Sequence, residues 1–204
     1  MTRYEIDTPF GPARAEVHLA DEGRAALLLG HGAGGGGVTA PDLVAAARIA
    51  AAEDVHVALI EQPYRVAGRR APAPAHQLDA AWLAVVEDLG ERWFRDVPLI
   101  FGGRSSGARV ACRTADAGAA SAVLCLAFPV HPPGKPEKSR MGELDALDIP
   151  VLVVQGERDA FGRPDPTHNR EVVLVPGDHS LKAGVDEVAR AVADWLDRVL
   201  RLIE

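Results

Sequence analysis

The chain has 204 residues, enough for one full hydrophobic core and too few for an α/β sheet plus a second sizeable domain, so a single domain over 1–204 is expected. With 22 basic against 29 acidic residues the formal net charge is −7, which argues against a nucleic-acid-binding surface as its main purpose. No apolar run approaches the ~20 residues of a membrane span, and Met1-Thr2-Arg3-Tyr4-Glu5 lacks the apolar region of a signal peptide; the expectation is a cytoplasmic protein that binds no membrane, its oligomeric state left open.

Residues 2–20 read as a hairpin of two alternating segments around Thr8-Pro9-Phe10-Gly11-Pro12. A short apolar run at 25–29, with no polar alternation, suits a strand buried on both faces, and it ends in a glycine-rich loop at 30–37. That loop lacks the lysine of a phosphate cradle. A helix is expected over 41–54, a strand over 55–60, a loop over 61–73 and a second helix over 74–90 that buries Leu78, Trp82, Val85, Val86 and Leu89 and stops at Gly90. Strands follow at 99–101 and 122–126, with a helix to about Asp116 between them. Residues 128–140 form a proline-rich excursion too polar for the core. Two more strands, 151–155 and 171–175, precede an amphipathic helix over 185–203. Strands alternating with helices imply right-handed crossovers and a doubly wound, mostly parallel sheet with helices on both faces. Cys112 and Cys125 read as small buried thiols, without metal-ligand spacing.

Chemistry concentrates at Gly103-Arg104-Ser105-Ser106-Gly107, a G-x-S-x-G placed where an apolar strand turns into a helix. That is the context of a nucleophile elbow, whose strained turn pushes the serine hydroxyl out of the sheet edge. A serine at its free pKa is a poor nucleophile, so it needs a base, and the base an orienting acid. After such an elbow the order is serine, acid, histidine, on loops at the ends of later strands. Gly156-Glu157-Arg158-Asp159 follows one strand and Pro176-Gly177-Asp178-His179-Ser180 the next. The candidate triad is therefore Ser105, His179 and Asp159, with Glu157 as the competing acid. The candidate oxyanion donors are the N–H groups of Ala33, with Gly34 as runner-up, and of Ser106. His31 is expected to anchor the glycine loop rather than carry protons. His18, His56, His76, His131 and His168 form no metal constellation, and neither cofactor nor metal is expected.

The segments HGAGG (31–35), GGRSSGARVA (102–111), FPVHPPGKPEKSR (128–140), VQGERDAFG (154–162) and GDHSLK (177–182) resemble the small cap-less α/β-hydrolase family that includes testis-expressed protein 30 and the hydrolase-like domain of a subunit of the non-specific-lethal histone acetyltransferase complex. That family neighbours the dienelactone hydrolases, which use a cysteine where this chain has Ser105. The resemblance implies the α/β-hydrolase fold without a cap and a triad on Ser105, Asp159 and His179.

Triad and oxyanion hole together imply acyl transfer, which makes a carboxylesterase acting on a small soluble ester the leading expectation. A non-catalytic scaffold with the same fold is the alternative. Loops 61–73 and 128–140 are the expected walls of the pocket. Their Arg65, Arg69, Arg70, Lys135, Lys138 and Arg140 suggest a substrate bearing a carboxylate or phosphate. Arg104 beside the serine, with Phe128 and His131 on the excursion, are the candidate substrate contacts.

Overall fold

The computed structural model describes residues 1–34 and 36–203; Gly35, in the glycine loop, and Glu204 lie outside the described residues. The chain opens with the expected hairpin of β1 (Thr2–Ile6) and β2 (Ala13–His18). In β2 the buried residues are Ala13, Ala15 and Val17, alternating with half-buried Arg14, Glu16 and His18, the pattern of an antiparallel strand covered more fully on one face. The remaining strands are β3 (Ala26–Gly30), β4 (His56–Glu61), β5 (Leu99–Arg104), β6 (Ala120–Leu126), β7 (Val151–Gly156) and β8 (Arg170–Val175). They complete one eight-stranded sheet of order β1-β2-β4-β3-β5-β6-β7-β8, in which β2 runs against both its neighbours and β3 to β8 are parallel.

The helices are α1 (Pro41–Ala52), the single turn α2 (Pro63–Val66), α3 (Ala75–Leu89), α4 (Ser106–Thr114), the short α5 (Met141–Asp145) and α6 (Val185–Ile203). Successive side chains of a strand point to opposite faces, so each central strand feeds two cores. Leu27, Leu29, Ile100 and Val154 pack with α1 and α6, whereas Leu28, Phe101, Val123 and Val153 pack with α3 and α4. This is the α/β-hydrolase architecture, and among the described residues no cap domain covers the sheet edge. The chain leaves β3 toward β4 on one side and β5 on the other. The crevice beyond the carboxyl ends of β3 and β5 is therefore the topological switch point where open α/β sheets bind ligands.

Four local expectations are corrected. Gly90 does not stop α3: it keeps a right-handed helical conformation (φ −59°, ψ −49°) and the chain widens into a π turn, Gly90–Phe94. That turn buries Phe94 and sets Trp93 against Tyr4, ring centroids 4.7 Å apart. Segment 61–73 is no open loop, since α2 buries Tyr64 in the core. The excursion 128–140 does enter the core, burying Phe128 completely and Val130 nearly so. The apolar spacing of the helix expected over 185–203 runs from Val185 through Val188, Val192, Trp195, Leu196 and Val199 to Leu202, yet Leu202 lies beyond Leu200, the last residue of that helix described as buried, and is 74% exposed. Cys112 and Cys125 are free and buried, with sulfurs 3.5 Å apart.

Candidate active site

β5 delivers Ser105 at a backbone angle that side chains rarely adopt, φ 52° and ψ −107°. Such strain persists only where the surroundings enforce it, and here they do. The N–H of Ser105 donates to the Leu126 carbonyl of β6 at 2.9 Å, and α4 begins at the next residue. The glycines two residues either side of Ser105 are steric necessities. A methyl on Gly103 would lie 2.6 Å from the Gly30 carbonyl oxygen, and one on Gly107 would collide with that same oxygen. The end of β3 thus passes directly against the turn, which only glycine allows.

The two later loops are fastened to one another before they reach the serine. Glu157 N–H donates to the Val175 carbonyl and Arg158 N–H to the Gly177 carbonyl, both at 2.9 Å, while Gly156 leaves room for the backbone of Asp178. The result is a hydrogen-bonded series: Ser105 Oγ to His179 Nε2 at 2.8 Å and His179 Nδ1 to Asp159 Oδ2 at 2.8 Å. Asp159, with its side chain fully buried, also accepts from Gln155 Nε2 at 2.7 Å through Oδ2 and from the Phe161 N–H at 2.8 Å through Oδ1. Glu157 is exposed and makes no side-chain contact with His179; its carbonyl oxygen accepts from Arg163. Of the two carboxylates the sequence left open, the structure brings Asp159 to the imidazole.

Around this series lies a cleft of about 880 Å³. Ala33, Gly34 and Ser106 all line it, and Ser106 opens α4, where the first N–H groups have no partner inside the helix. The glycine loop carrying Ala33 and Gly34 is held from below by His31. Its Nδ1–H donates to the Gly32 carbonyl at 2.8 Å and its Nε2 accepts the Gln62 N–H at 3.1 Å, which fixes a neutral tautomer. Burial, the largest influence, pushes the His31 pKa below its ordinary 6.5. Arg65 reaches the Gly34 carbonyl from α2 and steadies the loop from the other side.

The expected substrate contacts fare differently. Arg104 lines the cleft, but its guanidinium pairs with Asp42 at 2.9 Å and donates to the His179 carbonyl at 3.0 Å. Phe128 is fully buried and does not line the cleft. His131 sits behind it: its N–H donates to the Phe161 carbonyl and its Nδ1 lies 2.9 Å from the Pro132 carbonyl. Of loop 61–73 only Pro72 reaches the cleft, and Arg69, Arg70, Lys135 and Lys138 do not.

Sequence reasoning passed over Gln155, Phe161 and Asp42. Phe161 stacks its ring on His179 with centroids 4.0 Å apart and 26° between planes. Gln155 also donates to the carbonyls of Phe128 and Gly162, tying the excursion to the acid loop. The signal for Gln155 was a lone amide at the end of an otherwise apolar strand. Among the described residues no three His, Cys, Asp or Glu side chains are grouped to hold a metal ion, and no helix is long and apolar enough to cross a membrane.

An elbow serine at the switch point of a doubly wound sheet, open to solvent with no cap above it, defines the lid-less class of α/β-hydrolase folds. The chain belongs to the alpha/beta hydrolase domain family, whose model matches residues 23–201. Among solved structures it is similar to a serine hydrolase without lid from Xanthomonas campestris, with 20% identity, 97% of this chain and 94% of that one covered, and a TM-score of 0.78. Est1E from Butyrivibrio proteoclasticus gives 17%, 98%, 99% and 0.78, and an esterase from Pyrococcus furiosus 14%, 97%, 89% and 0.74. At these identities the likeness is one of fold. No curated protein matches the chain.

Proposed function

We propose that the protein is a serine hydrolase that cleaves a small carboxylic ester through an acyl-enzyme. The observation that carries this reading is the unbroken series Ser105–His179–Asp159, each contact 2.8 Å, set at a strained elbow on the floor of an open cleft. A scaffold has no physical need of that strain or of the second set of bonds that fixes Asp159. The similarity in fold to Est1E, one structure of which holds ferulic acid, and to the Pyrococcus furiosus esterase agrees with an ester substrate.

In this reading Ser105 Oγ forms a bond to the ester carbonyl carbon as its proton passes to His179 Nε2. The negative oxygen of the tetrahedral intermediate is held by the N–H of Ser106 and that of Ala33 or Gly34. Asp159 keeps the imidazole in the tautomer that accepts this proton and stabilises the imidazolium. The bond to the alcohol oxygen then breaks, with His179 returning the proton to it. Water repeats the sequence on the acyl-enzyme: its proton goes to His179, its oxygen to the acyl carbon, and the proton returns to Ser105 as the acid leaves. The reading uses no cofactor.

The test is labelling by a fluorophosphonate probe and turnover of a short p-nitrophenyl ester, on the native chain and on Ser105→Ala. Labelling confined to the native chain, with turnover lowered by several orders of magnitude in the variant, is expected. A native chain that neither labels nor turns over would leave the scaffold reading in its place.

A further inference from the structure

The charge of the cleft is opposite to that of the protein. Against a formal net charge of −7, the residues lining it include Arg104, Arg109, Arg140, Arg158 and Lys182 and a single carboxylate, Asp178. That carboxylate is already engaged by the Ser180 N–H at 2.9 Å and Oγ at 2.7 Å. The five cations fall into two groups. Arg104 is held by Asp42, and Arg109 is bound in a two-pronged contact by Glu143. Among the described residues Arg140, Arg158 and Lys182 are in no ion pair, though Arg158 adds to the Ser180 hydrogen bonds in lowering the Asp178 pKa.

Arg140 is the most telling of the three. It ends the excursion after β6, its main chain pinned by a 2.7 Å bond from its N–H to the Val130 carbonyl, and among the described residues its guanidinium hydrogen-bonds the Pro129 carbonyl alone, at 3.4 Å. Its neighbour Arg109 is itself a cation, and burial followed by that like charge pushes the Arg140 pKa below its ordinary value. Glu143 opposes that shift but is already hydrogen-bonded to Arg109 and Arg113, so the half-buried Arg140 guanidinium is further stabilised by an anion arriving from outside. Arg158 and Lys182 stand on the loops after β7 and β8 that carry Asp159 and His179, so cations line the cleft from more than one loop. Between them Pro72, Pro129, Ala160 and Phe161 offer an apolar bed.

Resting on the hydrolase reading, we propose that the substrate carries, besides its ester, a carboxylate or phosphate group that Arg140 and Arg158 bind, with Lys182 contributing to the field. The class is a half-ester of a short dicarboxylic acid or the phosphate-bearing equivalent. This changes the residues that the sequence suggested for the same preference: Lys135 and Lys138 do not line the cleft, and of the five cations that do, Arg140, Arg158 and Lys182 are the ones outside ion pairs among the described residues.

The test separates binding from catalysis. Ser105→Ala is titrated by ligand-observed NMR with monomethyl succinate and with methyl valerate, a neutral ester of similar length, at about 20 and about 300 mM NaCl. The half-ester is expected to bind about tenfold more tightly at low salt, with the margin shrinking at high salt, and Arg140→Gln with Arg158→Gln to remove about a factor of ten. Inorganic phosphate should displace the half-ester if the site also accepts phosphate groups; failure to displace restricts the class to carboxylates. Lys182→Gln, an exposed change, gives a smaller loss and guards against a fault in the double variant. In the native chain the ratio of kcat/KM for the two esters should follow the same pattern. Equal binding of the two esters, or a preference indifferent to salt and to the arginine changes, overturns the proposal whether or not the native chain turns over. Preference retained by a chain that a fluorophosphonate fails to label would remove the hydrolase reading and leave the anion site.

Discussion

Asp42, in the first turn of α1, and Arg104, the residue before Ser105, form a largely buried ion pair at 2.9 Å. Burial raises the Asp42 pKa and Arg104 opposes that shift. The same guanidinium donates to the His179 carbonyl, so three separate parts of the chain, α1, the end of β5 and the histidine loop, are tied by one side chain.

Removing one partner leaves the other buried without compensation. Asp42→Ala should therefore destabilise by about 3 kcal/mol, measured by urea denaturation. Replacing the pair together, Asp42→Leu with Arg104→Met, should recover most of the stability, because apolar residues carry no desolvation cost. It should not recover ester turnover, since the His179 carbonyl then has no donor. Full recovery of kcat in the double variant would show that the pair serves folding alone.

Gln155 reaches Asp159 from β7 with a single amide that also holds two carbonyls. Gln155→Leu keeps the volume but frees the carboxylate to turn, and a misplacement on the order of 1 Å costs about a hundredfold in kcat. Asp159→Asn should cost more, about 10⁴-fold, by presenting the wrong hydrogen-bonding partner to Nδ1. Glu157→Gln, on an exposed side chain, should change kcat less than about twofold. Steady-state kinetics on the three variants orders them, and a Glu157 effect as large as that of Asp159 would reverse the assignment of the acid.

That Ser105, Asp159 and His179 stand out in the sequence follows from locality. A strand end, a short loop and a turn are each encoded within a few residues, and chain order supplies the rest. The sheet was legible for the same reason: the runs that become β3, β6 and β7 are apolar but for Ser121 and Gln155 because both faces are covered. What escaped is what depends on distant packing. Phe128 looks like a pocket residue beside prolines, but Gln155 draws its carbonyl inward and the ring follows into the core. Gly90 reads as a helix stop, but burying Phe94 favours continuing through a π turn. Which basic residues face the cleft is likewise a property of how the loops lie: of the six on the two expected walls, only Arg140 does.

Two histidines outside the Ser105–His179–Asp159 series should make stability depend on pH. His31 Nε2 accepts the Gln62 N–H, and His56 Nδ1 accepts the Ala20 N–H at 3.0 Å. Each bond requires the neutral ring, and burial is the largest cause pushing both pKa values below the ordinary 6.5. The unfolded chain therefore binds protons at these rings more readily than the folded one. Their contribution is fully present above pH 6.5 and is lost as pH falls below it, at a limiting slope of about 1.4 kcal/mol per pH unit for the buried His31 and less for the more exposed His56. Urea denaturation at pH 7.5, 6.5 and 5.5 should show falling stability toward acid. His31→Gln should be less stable than the native chain at pH 7.5, having lost the glycine-loop anchor, and should show the shallower decline. Native and variant curves that fall in parallel would mean that His31 does not titrate differently in the folded protein, and that the acid sensitivity arises elsewhere.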